Sequence, residues 1–157
     1  MRNARDILAQ RVLLFDGGMG TYYKGRPGQE CEQASLTDPE GVRAVHREYL
    51  EAGAEAIKTN TFSLPRMAAA HVPGWQQLAR AAWALACEAA GENAAVFADL
   101  GPAPDTEAGP AGASYRAAAE LFLELGAVNF LFETLSTDAG VAETAAYIKS
   151  RRPEAFV

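Results

Sequence analysis

Cysteine is scarce in this chain. Cys31 and Cys87 are the only two among 157 residues, too few for a disulfide scaffold and too few for a four-cysteine zinc site. Histidine is equally rare. His46 and His71 stand far apart, without the short spacing of paired metal ligands. Basic residues are in the minority, with 14 Lys and Arg against 20 Asp and Glu and a net charge of −6. That balance argues against a polyanion-binding face, so no nucleic-acid partner is expected. Apolar runs stay short. None reaches the roughly 18 residues that cross a bilayer, so no membrane partner is expected either. The N-terminal stretch MRNARDILAQRVLLFDGG lacks the apolar core and small-residue cleavage site of a secretory leader. The expected location is cytoplasmic. No Pro/Ser-rich or low-complexity stretch divides the chain, and a single domain over residues 1–157 is expected.

What is present alternates. Residues 12–15 read as a first strand, which runs into Asp16-Gly17-Gly18-Met19-Gly20-Thr21 and a polar loop over 24–35. Thr37 or Asp38 is placed to cap a helix with Pro39 at its first position. Val42, Val45, His46, Tyr49 and Leu50 recur there at helical spacing, and Gly53 stops the run. The unit repeats three times. Strands are predicted over 54–59, 94–100 and 128–132. Helices are predicted over 75–90, over 115–125 with Ser114 as cap, and over 138–150 with Thr137 or Asp138 as cap. Residues 109–112 read as loop, and 155–157 as the start of a fifth strand. Strict alternation implies an α/β fold of parallel strands with right-handed crossovers. Ligands bind at the carboxyl ends of such strands. The candidate site is therefore 16–21, 59–62, 99–102 and 133–134.

Each motif has two readings. The glycine-rich turn after Asp16 offers backbone N–H groups to a carboxylate or phosphate, or is a tight turn that needs glycine for geometry. It is neither a P-loop, since no Gly-Lys-Ser/Thr follows, nor the dinucleotide fingerprint. Glu133 ends an apolar strand, where a carboxylate can hold a substrate ammonium or sit solvated. Thr59, Asn60 and Thr61 orient a polar substrate or form a local turn. Lys58 reads as paired with Glu55 or another acid. The histidines read as surface or helix-packing residues, Cys87 as a small core residue, and Cys31 as a loop thiol without a neighbouring base. These residues by themselves leave open an unrelated α/β enzyme whose glycine loop binds phosphate.

At these same positions the chain resembles the homocysteine S-methyltransferase domain family. Leu13-Leu14-Phe15-Asp16-Gly17-Gly18-Met19-Gly20-Thr21 is similar to the family's opening strand, and His46 to Ala54 to its first helix and turn. Thr59-Asn60-Thr61-Phe62, Gly101-Pro102 and Phe132-Glu133-Thr134 resemble the next three strand ends, in order. The resemblance implies a (β/α)8 TIM barrel and methyl transfer to the sulfur of homocysteine, giving methionine. It implies that backbone around Asp16, Gly17 and Gly18 holds the substrate carboxylate. Glu133 would take the ammonium, and Thr59, Asn60 and Thr61 would line the pocket. It also implies a zinc ion on three cysteines, which makes the substrate thiolate. The methyl donor, whether folate, betaine or S-methylmethionine, is left open.

The chain departs from the family in three ways. The zinc cysteines belong to the second half of the barrel, and Cys31 and Cys87 match neither of their positions. Lys58 stands where many relatives carry an acid, and Asp99-Leu100 replaces a small-residue pattern before Gly101-Pro102. A whole barrel needs about 200–250 residues. The expectation is therefore half of a TIM barrel: a truncated product, a deliberately cut piece or one part of a split enzyme. Such a chain would be inactive alone, with no catalytic or metal residue of its own. The alternative is a non-catalytic half-barrel that binds an amino acid or a partner chain. Open sheet edges imply a homo-oligomer or a complementary C-terminal half-barrel.

Overall fold

The computed structural model describes residues 2–23, 31–104 and 111–157. The polar loop over 24–30 and Gly109–110 of the predicted loop lie outside the described residues. The first element is a short helix, α1 (Ala4–Leu8). It is capped by Asn3, whose side chain accepts from the Arg5 N–H at 2.9 Å. The chain then runs extended through Phe15 and winds into the single turn α2 (Met19–Tyr22). A 3-10 turn (Cys31–Gln33) and α3 (Ala34–Thr37) lead into α4 (Pro39–Glu51). Asp38 caps α4 by accepting from the Gly41 N–H at 3.1 Å, with Pro39 in the first turn, as its sequence predicts. There follow β1 (Ala56–Lys58), α5 (Leu64–Ala69), α6 (Trp75–Ala90), β2 (Ala95–Leu100), α7 (Ala111–Glu124), β3 (Phe130–Phe132) and α8 (Val141–Arg151).

The sheet has the order β1-β2-β3 and is parallel throughout, with Ile57 beside Val96 and Ala98 beside Phe130. One parallel bridge extends it at each edge, Phe15 to Ala56 and Asn129 to Phe156. Five chain segments thus lie side by side in sequence order. The predicted strand at 12–15 is reduced to that bridge. The Leu14 carbonyl accepts from the Glu55 and Ala56 N–H groups, and the Asp16 N–H donates to Ala56. It has a neighbour on one side, and Val12 and Leu14 are 84% and 55% exposed.

Two helix starts differ from expectation. Helix α7 begins at Ala111, because Ala111, Gly112 and Ala113 continue the helix ahead of Ser114. Helix α8 begins at Val141, behind Gly140 at φ 77°. The Thr137 hydroxyl accepts from the Ala139 N–H at 3.2 Å, which makes a turn in front of the helix rather than its cap. The helices α1, α3 and α5 have no counterpart in the sequence reading.

Alternation along the strands divides the core into two layers. Ile57, Val96, Ala98, Leu100 and Phe130 point outward into an apolar layer shared with α5, α6, α7 and α8. Ala56, Ala95 and Phe97 point to the inner face, where Ala4 and Ile7 of α1 pack on them beside Leu13, Leu131 and Phe156. The Phe97 ring meets Phe15 at 4.7 Å and Phe156 at 6.0 Å. Asn129 ties this floor together. Its Oδ1 accepts from the Ala4 N–H at 2.8 Å, and its Nδ2 donates to the Arg2 and Val96 carbonyls. The inner face is thus closed at the amino ends of the strands and open at the carboxyl ends.

Candidate functional site

Inner-face alternation continues past the apolar floor into charge. Beyond Ala56 comes Lys58, beyond Phe97 comes Asp99, and beyond Leu131 comes Glu133. With Asp16 from the edge segment they surround a cavity of about 130 Å³ at the carboxyl ends of the strands. Asp16, Gly17, Gly18, Thr59, Asn60, Thr61 and Glu133 all line it, whereas Thr21, Leu100, Gly101, Pro102 and Thr134 of the predicted stretches do not. A larger cavity of about 430 Å³ lies between α7 and α8, among Glu120, Tyr147 and Arg151. It opens on the outer helical surface, far from the strand ends, and the smaller cavity is the better candidate.

The charged groups are tightly interlinked. Lys58 Nζ donates to Glu133 Oε2 at 3.0 Å, and the Lys58 backbone N–H donates to Asp16 Oδ2 at 3.0 Å. Lys58 therefore pairs with Glu133; Glu55 instead pairs with Arg11. Burial pushes the Asp16 carboxyl up to about 6, against the lowering effect of the Lys58 N–H and ammonium. Burial raises Asp99 well above the usual carboxylate range, and the nearby Glu133 charge adds to it. Burial pulls the Lys58 ammonium down, but Glu133, Asp16 and Asp99 outweigh it and its net shift is upward. One oxygen each of Asp16 and Asp99 is buried without a hydrogen-bond partner among the described residues. After Glu133, Thr134 holds φ 56°, a left-handed conformation that a β-branched residue adopts under strain.

The three polar residues after β1 are committed to the scaffold. The Asp99 N–H donates to Thr59 Oγ1 at 3.0 Å, and Thr61 Oγ1 donates to the Asp99 carbonyl at 2.8 Å. Thr61 having used its hydrogen, Thr59 supplies the one between the two hydroxyls, 2.6 Å apart. Asn60 Nδ2 donates to the Cys31 carbonyl and to Ser35 Oγ, and Cys31 Sγ donates to Asn60 Oδ1 at 3.3 Å. These residues clasp the ends of β1 and β2 and the 3-10 turn together, and offer a ligand spare acceptor lone pairs rather than donors. Two glycines are fixed by close approach. A Cβ on Gly17 would stand 2.6 Å from the Tyr49 hydroxyl, and one on Gly101 would stand 2.3 Å from the Phe62 carbonyl oxygen.

Lys58 and Asp99 join the site although the sequence motifs do not single them out as ligand-binding. The usable signal was period two, which puts Lys58 on the face of Ala56 and Asp99 on the face of Phe97. His46 packs fully buried on α4. The zinc implied by the family resemblance does not fit the residues present. Only two thiols are present, Cys31 and Cys87, against the three the family's zinc takes, and burial pushes both up to about 11. Cys31 is bonded to Asn60, and Cys87 lies on α6. Among the described residues no group of three or more His, Cys, Asp or Glu is arranged to hold a metal.

Comparison with known proteins bears on the fold and the family. A methionine synthase of Mycobacterium tuberculosis (strain ATCC 25618 / H37Rv) is 40% identical over 68 residues, covering 36% of this chain and 6% of that protein. Crystal structures of the homocysteine methyltransferase MmuM from Escherichia coli superpose with a TM-score of 0.69 for the metallated form and 0.74 for the oxidized form. Identities are 22% and 21%, which speaks to the fold alone. The superpositions cover 96% and 99% of this chain, but 63% and 64% of those chains. The open parallel sheet with its helices is thus part of a TIM-barrel-like fold. The Homocysteine S-methyltransferase profile matches residues 13–154, nearly the full length, and on that match the chain belongs to the homocysteine S-methyltransferase family.

Proposed function

We propose that this chain forms the amino-acid-binding side of a homocysteine S-methyltransferase pocket and does not transfer a methyl group by itself. The observation that carries the reading is the single cavity where Asp16, Gly17, Gly18 and Glu133 meet at the strand ends, on a chain of this family. In this reading the backbone after Asp16 receives the substrate carboxylate and Glu133 its ammonium, while Thr59, Asn60 and Thr61 hold the walls in place. The substrate sulfur then points to the open side of the sheet. The inactivity follows from the donor set, since two cysteines on separate elements, a 3-10 turn and α6, supply no three-thiolate zinc.

Calorimetric titration with homocysteine and methionine tests the binding half, and a methyl-transfer assay with added zinc and each donor class tests the rest. Amino-acid binding without methionine formation is expected. Methionine formed by the chain alone overturns the inactivity. Tight binding of a sugar phosphate, with none of either amino acid, overturns the substrate class.

A second reading, a half-barrel that docks a partner, is favoured by the sheet edges. Val12, Leu14 and Phe15 on one edge and Val157 on the other are large exposed hydrophobics. A second copy or a complementary half-barrel would cover them.

A further inference from the structure

We propose that Lys58 is a specificity-determining residue, a tethered cation that occupies the position on Glu133 needed by the ammonium of an amino-acid ligand. The proposal rests on the reading above, in which Glu133 receives that ammonium.

The geometry is that of an internal competitor. Strand alternation turns Ala56 and Lys58 inward and Ile57 outward, so the Lys58 stem enters the cavity from its floor. The base of the stem is held by the bond from the Lys58 N–H to Asp16 Oδ2 at 3.0 Å, and its tip reaches Glu133 Oε2 on the far strand at 3.0 Å. Both side chains of the pair are largely shielded, 18% and 26% exposed, inside the cavity rather than on its rim. A lysine head and an α-ammonium are the same group, one charge with three N–H donors, and satisfy a carboxylate equally well. The lysine is attached to the protein. Its effective concentration at Glu133 is of order millimolar or above, and a free amino acid must compete against it.

The cavity also holds a place for the displaced head. Asp16 Oδ1 and Asp99 Oδ1 are buried acceptors without partners among the described residues, and both carboxyl groups act electrostatically on Lys58. A ligand ammonium that takes Glu133 therefore leaves Lys58 facing unpaired oxygens rather than an apolar wall. Admission of an amino acid is an exchange of partners, in which Lys58 moves from Glu133 to the Asp16 side. A carboxylate ligand without an ammonium requires no such exchange. Lys58 thus weakens amino acids relative to their deaminated counterparts.

The test compares methionine with 4-(methylthio)butanoate, its deaminated counterpart, by titration calorimetry on the full chain. The variants are Lys58→Met, which keeps the stem without the charge, and Lys58→Gln, which keeps a neutral donor should the first fold poorly. The expected result is methionine binding at least about tenfold tighter in the variants than in the parent, with no such gain for the deaminated ligand. Adding Glu133→Gln to Lys58→Met is expected to remove the gain. Equal methionine binding by parent and variants overturns the role of Lys58 and leaves the amino-acid site standing. A gain that survives Glu133→Gln also overturns the proposal. No methionine binding by parent or variants overturns the amino-acid site itself, and the proposal with it.

Discussion

Burial acts in opposite directions on two titratable side chains, Asp16 and His46. The Asp16 carboxyl rises from 3.8 to about 6, so the folded state favours its proton more than the unfolded chain does. Its contribution to stability is complete below pH 3.8 and is lost as pH rises through 6. At pH 7 the ionised group is a cost of about 3 kcal/mol, maintained at the mouth of the candidate site. Asp16→Asn keeps an acceptor for the Lys58 N–H and is expected to raise the pH 7 urea midpoint, by about 1–3 kcal/mol in stability. A lower midpoint would show that the carboxylate is structurally required. His46 moves the other way, down to about 4, because it is buried; among the described residues neither ring nitrogen has a partner. Its folded form stays neutral while the unfolded form charges below 6.5. Stability is therefore present above 6.5 and falls away as pH drops toward 4. His46→Leu is expected to gain on the parent by about 2–3 kcal/mol between pH 7 and pH 4.5, read as the difference of two urea series. The sequence marked His46 as a helix-packing residue through its spacing with Val42 and Val45. That it has no partner was invisible there, since partners come from other elements.

Among the elements, the strand ends are where backbone meets backbone most closely. The Gly101 N–H donates to the Phe62 carbonyl at 3.1 Å, and the same carbonyl oxygen lies 2.3 Å from where a Cβ would stand. Neither main chain can yield without parting β2 from the turn after β1. Gly101→Ala is expected to cost about 2–4 kcal/mol, measured by thermal or urea unfolding. Gly20→Ala, with open space around it inside α2, is expected to be neutral or slightly stabilising. An unaffected Gly101→Ala protein would mean that the contact is not fixed in solution. Glycine identity announced both positions, but their difference lies in a neighbour nearly 40 residues away for one and none for the other. The same limit applies to Thr59 and Thr61. Two hydroxyls in a polar tripeptide were legible as ligand-facing or turn-forming. Only the pairing of β1 with β2 brings the Asp99 backbone to both, its N–H donating to Thr59 and its carbonyl taking the Thr61 hydrogen. Helix α4 was legible almost to the residue, because its cap, first-turn proline and apolar period are local signals. The helices α1 and α5 span 5 and 6 residues, too short to show a period.

The whole molecule carries its unfinished business at the two sheet edges. Phe97 is sealed by α1, Phe15 and Phe156, but among the described residues no strand lies beyond the segment of Val12 and Leu14 or beyond that of Val157, and these side chains are exposed. The proposal of a covered edge predicts a dimer or larger species in sedimentation at micromolar concentration. It also predicts a shift toward monomer in Val12→Lys/Leu14→Lys, without loss of helical signal. A compact parent monomer that binds no hydrophobic dye would overturn it. At this scale the division between sequence and structure has a physical basis. Strand–helix alternation, the capping of α4, the parallel sheet and the meeting of 16–18, 59–61 and 133 at one mouth follow from local propensity, period and the geometry of parallel crossovers. All of these are written in neighbouring residues. The Lys58–Glu133 pair, the orphaned oxygens of Asp16 and Asp99, the clasp through Thr59 and Thr61 and the closure of the floor by Asn129 were decided by tertiary structure. The bonds among these join residues 33 to 127 positions apart, and strand order and register, not sequence spacing, set which groups touch and which are left over.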